Sequence, residues 1–240
     1  MKFCVRIDDI GFRPHYELDA ELCLARRLHE IFGGRPYLAA VIPGILDDVG
    51  GDWIRSRPES MTPALHGWMH AKGISGEDNE FENLAEIQCL SLIDQGLRII
   101  NGTPAGIEIS RPVIDFVPPF NAVTPELLNA CSKKGLMRIW GQPYASPQPF
   151  LPERKPWGIY VPSWLPTYGL TLWRSSDIRR ALLEALRENL NADGVAVIVL
   201  HLTWEASFSP ELRGIRALVD EFGDRLISPD QYINLAGIAE

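Results

Sequence analysis

Short apolar runs alternate with longer amphipathic stretches along most of this chain. Phe3 to Ile7 predicts a buried strand. From Glu17 to Phe32, the residues Leu18, Leu22, Ala25, Leu28, Ile31 and Phe32 share one helical face, stopped by Gly33-Gly34. Tyr37 to Ile42 reads as a second strand closed by Pro43-Gly44, with a short helix over Gly51 to Arg57. The longest helical pattern covers Glu80 to Ile100 and stops at Asn101-Gly102. Val113 to Val117 is a strand cut off by Pro118-Pro119. Thr124-Pro125-Glu126 then has the form of an N-cap with proline at the first helical position, opening a helix to about Lys134. Leu136 to Trp140 and Val195 to Leu200 are further strands, and Ser176 to Leu190 is helical. A helix over Pro210 to Glu221, a strand at Arg225 to Ile227 and a helix after Pro229 complete the pattern.

Alternating strands and helices with short connections predict a parallel sheet wrapped in helices. The apolar strand runs are continuous, as in strands buried on both faces. About seven such units favour a closed or nearly closed barrel over an open sheet, in a single domain spanning residues 1–240. The segment 141–174 breaks the alternation. It holds Pro143, Pro147, Pro149, Pro152, Pro156, Pro162 and Pro166, too many for a regular element, together with several Trp and Tyr residues. It reads as an excursion glued to the barrel by its aromatics, some of which can wall a cleft.

Composition narrows the function classes. A net charge of −8, from 23 basic and 31 acidic residues, argues against a nucleic-acid or anionic-membrane surface. Cys4, Cys23, Cys89 and Cys131 lie far apart with no CxxC spacing, which fits reduced thiols in a cytoplasmic protein. No signal peptide and no membrane-length apolar run are visible. A glycine-rich dinucleotide fingerprint, a P-loop and internal repeats are also missing.

Candidate chemistry sits where apolar runs end. Asp8-Asp9 follow the first strand, Pro118-Pro119 follow Val117, and His201 follows Val195 to Leu200. In parallel α/β barrels the C-terminal strand ends converge on the active site. Adjacent strand residues face opposite ways, so Asp8 and Asp9 can share a site only if the strand gives way to a loop there. Alone, the Asp pair reads first as a polar turn or helix cap. His66-Gly67-Trp68-Met69-His70 is the strongest local signal. Fully extended, it would separate the histidines by roughly 13 Å; a turn after Gly67 brings them to one side. With a carboxylate from elsewhere they form a His₂Asp metal set with an open position. No Glu follows His66, which excludes the HEXXH protease pattern. Glu80 is a loop acid that could also approach such an ion. His29 reads as a surface helix residue, and His15 as an edge of the cleft.

Asp8-Asp9, His66-xxx-His70, Pro118-Pro119-Phe120 and Leu200-His201, in this order, resemble the polysaccharide deacetylase (NodB-homology, carbohydrate esterase family 4-like) superfamily over about residues 3 to 204. The likeness is to its compact cytoplasmic or uncharacterised branch. The resemblance implies a distorted (β/α)7 barrel that removes N-acetyl groups with one divalent ion, zinc first, with cobalt, nickel or iron as alternatives. It implies Asp9, His66 and His70 as metal ligands, Asp8 as general base, His201 as general acid and the Phe120 amide as an oxyanion donor. Pro119, Asn121, Trp68 and Trp204 are the expected substrate contacts, with a small molecule or glycan as substrate. Two family features depart. Val117 stands where an arginine that orients the catalytic Asp is expected, leaving Arg6 or Arg138 as substitutes. The acid's partner Asp has no match, leaving Glu205, Glu153 or none. These departures keep open a catalytically reduced glycan or nucleotide-sugar binder, and a hydrolase of another small amide.

Overall fold

The computed structural model describes residues 2–11, 18–46, 48–56, 60–71, 79–102, 112–141, 153–162, 195–202 and 211–238. Its frame is one eight-stranded sheet. The strands are β1 (Lys2–Ile10), β2 (Tyr37–Val41), β3 (Met61–Leu65), β4 (Asp115–Phe116), β5 (Arg138–Gly141), β6 (Glu153–Lys155), β7 (Gly158–Pro162) and β8 (Val195–His201). They lie in the order β6-β7-β5-β4-β3-β2-β1-β8. Every neighbouring pair is parallel except β6 with β7, so seven strands form the parallel set expected of a (β/α)7 arrangement. The two end strands, β6 and β8, are not paired with each other, so the described strands do not close a barrel by hydrogen bonds.

The helices are α1 (Leu18–Phe32), α2 (Asp48–Arg55), α3 (Glu86–Asn101), α4 (Pro125–Lys133), α5 (Arg213–Phe222) and α6 (Pro229–Leu235). Side-chain alternation along β1 splits the core in two. Phe3, Val5 and Ile7 join the larger cluster, with Leu28 and Phe32 of α1, Cys89 and Ile93 of α3, and Leu218 and Phe222 of α5. Cys4 points the other way, into a second cluster with Leu38, Ala40, Ala64, Trp140, Val161, Val197 and Tyr232 of α6. The Ile227 N–H bonds the Phe3 carbonyl at 3.0 Å, which sets the chain entering α6 beside the start of β1. Arg6 and Asp8 follow Cys4 on this face toward the C-terminal end of β1, whereas Asp115 and Arg138 stand at the starts of β4 and β5.

Several expected boundaries change. β3 was hidden in the sequence because Thr62 and Pro63 interrupt its apolar run, yet Pro63 lies in register with Ala39. The proline-rich excursion contributes β6 and β7, and β7 extends the parallel sheet from β5. The 80–100 pattern becomes helical only from Glu86, because Asn79 and Glu80 are used in turns. The strand expected at 225–227 is a 3₁₀ turn over Gly223–Arg225 with a single bridge from Leu226 to Phe3. The helix expected at 176–190 and much of the 141–174 excursion lie outside the described residues. No helix among the described residues is long and apolar enough to cross a membrane. Cys4, Cys89 and Cys131 are free and buried.

Candidate metal and catalytic site

Asp8 and Asp9 are still inside β1, which does not give way to a loop before Ile10. What turns both carboxylates to one site is a bulge. Ile7 pairs with Ala39 and Ile10 with Val41, so three steps along β1 match two along β2. The extra residue is absorbed at Asp9, whose φ of 62° is left-handed. Aspartate tolerates that region better than most residues, and a bulge re-aims the side chains around it.

β1 also carries the guanidinium that holds Asp8. Arg6, two residues earlier on the same face, donates from Nε to Asp8 Oδ1 at 2.7 Å and from Nη2 to Oδ2 at 2.5 Å. Its Nη1 bonds the Trp140 carbonyl at 2.7 Å and its Nη2 reaches Asn121 Oδ1 at 3.3 Å. Arg6 and Asp8 are both buried, and a buried charge is tolerable only when paired and hydrogen-bonded. Burial pushes the Asp8 carboxyl up, but Arg6 outweighs it and holds the group below its ordinary value. Arg138 is elsewhere: its Nη1 donates to Asp230 of α6 at 2.6 Å and faces Asp115 at 3.8 Å. Of the two expected substitutes, Arg6 is therefore the one in contact with Asp8.

The histidines come from the end of β3. The His66 N–H bonds the Val41 carbonyl at 2.8 Å, continuing the ladder, and its Nδ1 lies 2.9 Å from the Val117 carbonyl. A carbonyl can only accept, so Nδ1 carries the proton and Nε2 presents a lone pair. Gly67 at φ 70° and His70 at φ 50° then fold the chain back, and the two imidazole centroids lie 4.6 Å apart. Gly67 is required on two counts: its φ, and a Cβ there would lie 2.5 Å from both Glu80 Oε2 and Pro119 Cγ. Glu80 fixes this turn. Its carboxylate accepts from the backbone N–H groups of Trp68, Met69 and His70 at 2.9–3.1 Å. It thus serves the metal candidates from behind, as an anchor for their loop. Nothing in the sequence marks Glu80 for this, because backbone donors leave no residue signature.

Asp9, His66 and His70 offer ligand atoms that all lie within 4.8 Å of one another. Asp9 Oδ1 sits 3.4 Å from His66 Nε2 and 3.6 Å from His70 Nε2. Asp9 Oδ1 and His66 Nε2 are buried and have no hydrogen-bond partner. Two converging buried acceptor atoms with no donor between them fit a shared cation. Burial and neighbouring His66 push the His70 imidazole down to about 4, which keeps it a neutral donor. Burial lowers His66 too, but Asp9, Asp8 and the Val117 carbonyl outweigh it and leave the group raised, as a site attracting positive charge would.

His201 ends β8 in register with Asp8, and its Nε2 lies 3.9 Å from Asp8 Oδ2. Burial lowers its basicity more than the two aspartates restore it. After β4, Val117 bonds Leu65 and is followed by Pro118, Pro119 and a turn in which Phe120 (φ 54°) and Asn121 (φ 55°) are left-handed. Phe120 lays its ring over His70, with centroids 4.5 Å apart. Exposure grades outward: the Asp8 side chain is 2% exposed, His201 14%, and Asp9 and His70 18% each. The site therefore opens past the Asp9–His70 side.

The expected site residues Asp8, Asp9, His66, His70 and His201 come together, with Phe120 and Asn121 beside them. Trp68 and Pro119 flank the histidine turn. Trp204, Glu205 and His15 lie outside the described residues. His29 packs against Tyr37 and Trp53, away from the site.

No family profile matches the chain, and no curated protein does. Solved structures do. A family 4 acetyl xylan esterase from Clostridium thermocellum, in complex with a cobalt ion, superposes with a TM-score of 0.63 at 15% identity, over 99% of this chain and 92% of that one. A putative polysaccharide deacetylase from Mycobacterium smegmatis gives 0.62 at 16% identity, over 98% and 91%. A family 4 pseudoenzyme from Bacillus anthracis gives 0.62 at 10% identity, over 99% and 66%.

Proposed function

We propose that this chain, which has the fold of the polysaccharide deacetylases and esterases of carbohydrate esterase family 4, is a metal-dependent hydrolase that removes an N-acetyl group from an amino sugar, a glycan or a glycan precursor. The observation that carries this reading is the convergence of Asp9, His66 and His70 on one point, with two of their buried ligand atoms lacking any hydrogen-bond partner, beside Asp8 and His201. Asp9, His66 and His70 would hold a divalent ion. Bound there, such an ion supplies Lewis acidity toward the amide carbonyl and toward water. His66 is preoriented for it by Val117, and His70 by the Glu80-bound turn.

The other roles belong to the chain's own groups. Asp8, fixed as a carboxylate by Arg6, takes a proton from the attacking water. The Phe120 amide, the first backbone donor after two prolines, faces the oxygen on which negative charge develops. His201, on the neighbouring strand, acts in its protonated form and delivers that proton to the departing amine nitrogen, which is a poor leaving group without it. Trp68 and Phe120, half-exposed at the rim, give a sugar ring an aromatic surface to lie on.

The test is acetate release from a panel of acetamido sugars and N-acetylated oligosaccharides by the metal-loaded protein. Asp8→Asn should abolish release while metal content stays stoichiometric, and His66→Ala should remove the metal. Unchanged metal content in His66→Ala would overturn the ligand assignment. The pseudoenzyme among the structural neighbours supports a second reading, a binder that does not hydrolyse. Full metal loading with no acetate released from any member of the panel would favour it.

A further inference from the structure

Arg6 spans the interior from β1 to β5, and its position there depends on Trp140. Trp140 is fully buried, and its indole Nε1–H donates to Asp115 Oδ1 of β4 at 2.7 Å. Asp115 pairs in register with Arg138, which Asp230 binds from α6. A continuous line of bonds therefore runs from the Asp115 carboxylate through the Trp140 residue to Arg6, and from Arg6 to Asp8. We propose that Asp115 is a positioning residue for the proposed hydrolysis, acting through Trp140 on the Arg6–Asp8 pair; the inference rests on the reading of Asp8 as the base.

The physical argument is geometric. A guanidinium on a flexible stem orients a carboxylate only if its remaining donors are fixed. Here Nε and part of Nη2 serve Asp8, and the fixed points are the Trp140 carbonyl and the Asn121 amide oxygen. Asn121 thereby contributes from behind Asp8, beyond the substrate contact expected of it. The Trp140 carbonyl is only as fixed as its residue. A buried indole N–H without an acceptor is costly, so loss of Asp115 strains the packing of the ring and, through it, the end of β5 where the Trp140 carbonyl meets Arg6. Asp115 itself is buried, and its carboxylate accepts from the Trp140 indole and faces Arg138.

The experiment compares Asp115→Ala, Asp115→Asn and Trp140→Phe in the metal-loaded full chain. It measures kcat, KM, metal content and the hydrogen-exchange rate of the Arg6 Nε–H, followed by side-chain nitrogen NMR and assigned by its loss in Arg6→Lys. Asp115→Ala and Trp140→Phe should each lower kcat by about 10- to 100-fold, with metal content unchanged and KM within about twofold. Arg6 Nε–H exchange should rise by about tenfold or more in both. Asp115→Asn keeps an acceptor for the indole and should stay within about threefold of wild type in both readouts. The combined loss of kcat in the double variant Asp115→Ala, Trp140→Phe should be less than the product of the two single losses, because both break the same indole–carboxylate bond.

A purely structural Asp115 would lower the melting temperature while leaving kcat and Arg6 exchange of the folded protein unchanged, and that overturns the inference. So does a loss of kcat that tracks loss of metal. If the wild type releases no acetate at all, the proposed function fails separately. Arg6 exchange then still decides the tether: acceleration in both disruptive variants supports it, and unchanged exchange overturns it.

Discussion

The residues that make the site work as one are mostly those that do not face a substrate. Glu80 holds three consecutive backbone N–H groups of the histidine turn, and Gly67 lets that turn close against it. Glu80→Ala should weaken metal affinity by about 10- to 100-fold, measured by titration calorimetry, as loss of a group supporting ligands does. Unchanged affinity would mean that the turn holds itself. Gly67→Ala meets both a left-handed φ and a Cβ 2.5 Å from two atoms. It should cost about 1–3 kcal/mol in urea denaturation and weaken metal binding as well. Of these residues the sequence exposes only Gly67, through its place in the histidine motif. Glu80 stood out merely as a loop acid, and the Val117 carbonyl on His66 is backbone that no residue type announces.

At the level of elements, β1 is the one that the site is built on. It brings Arg6 and Asp8 to one face by their two-residue spacing, and its bulge adds Asp9 to the same site. Alternation alone predicts the first relation and forbids the second, which is why a loop was expected where the strand in fact continues. The starts of α4 and α6 were legible for a simpler reason: caps are local. Thr124 Oγ1 accepts from Leu127 N–H at 3.2 Å, and Ser228 Oγ accepts from Gln231 N–H at 3.1 Å in a capping box. Ser228→Ala should cost about 1 kcal/mol in urea denaturation and leave kcat unchanged. A loss of activity with it would mean that α6, through Asp230 and Arg138, reaches the site more strongly than the bond lengths suggest.

Across the whole molecule, the candidate metal site and the buried Arg6–Asp8 pair should set how stability responds to ligand and pH. An ion at about 100 times its dissociation constant adds about 2.7 kcal/mol, so the melting temperature should rise on loading and fall back with chelator. Asp8 and Asp9 both titrate below their ordinary values in the folded state, Asp8 through Arg6 and Asp9 through His66, in each case against burial. The folded protein then binds fewer protons than the unfolded chain. The stability this contributes is complete above the unfolded carboxylate value of about 4 and is lost as pH falls through the folded values. Melting temperatures of the metal-free protein that stay flat from neutrality down through this acid range would contradict the assignment. Legible in one dimension were the alternation that makes a parallel α/β sheet, the starts of α4 and α6, and the residue types that gather at the candidate site, because periodicity, caps and motif order are local. Tertiary structure alone decided that β3 runs through Pro63, that β7 emerges from the proline-rich segment, and that Arg6 rather than Arg138 holds Asp8. Those outcomes depend on which strands become neighbours and on which buried charges meet there. Only the folded chain brings together groups more than a hundred residues apart, as it does Arg6 and Trp140.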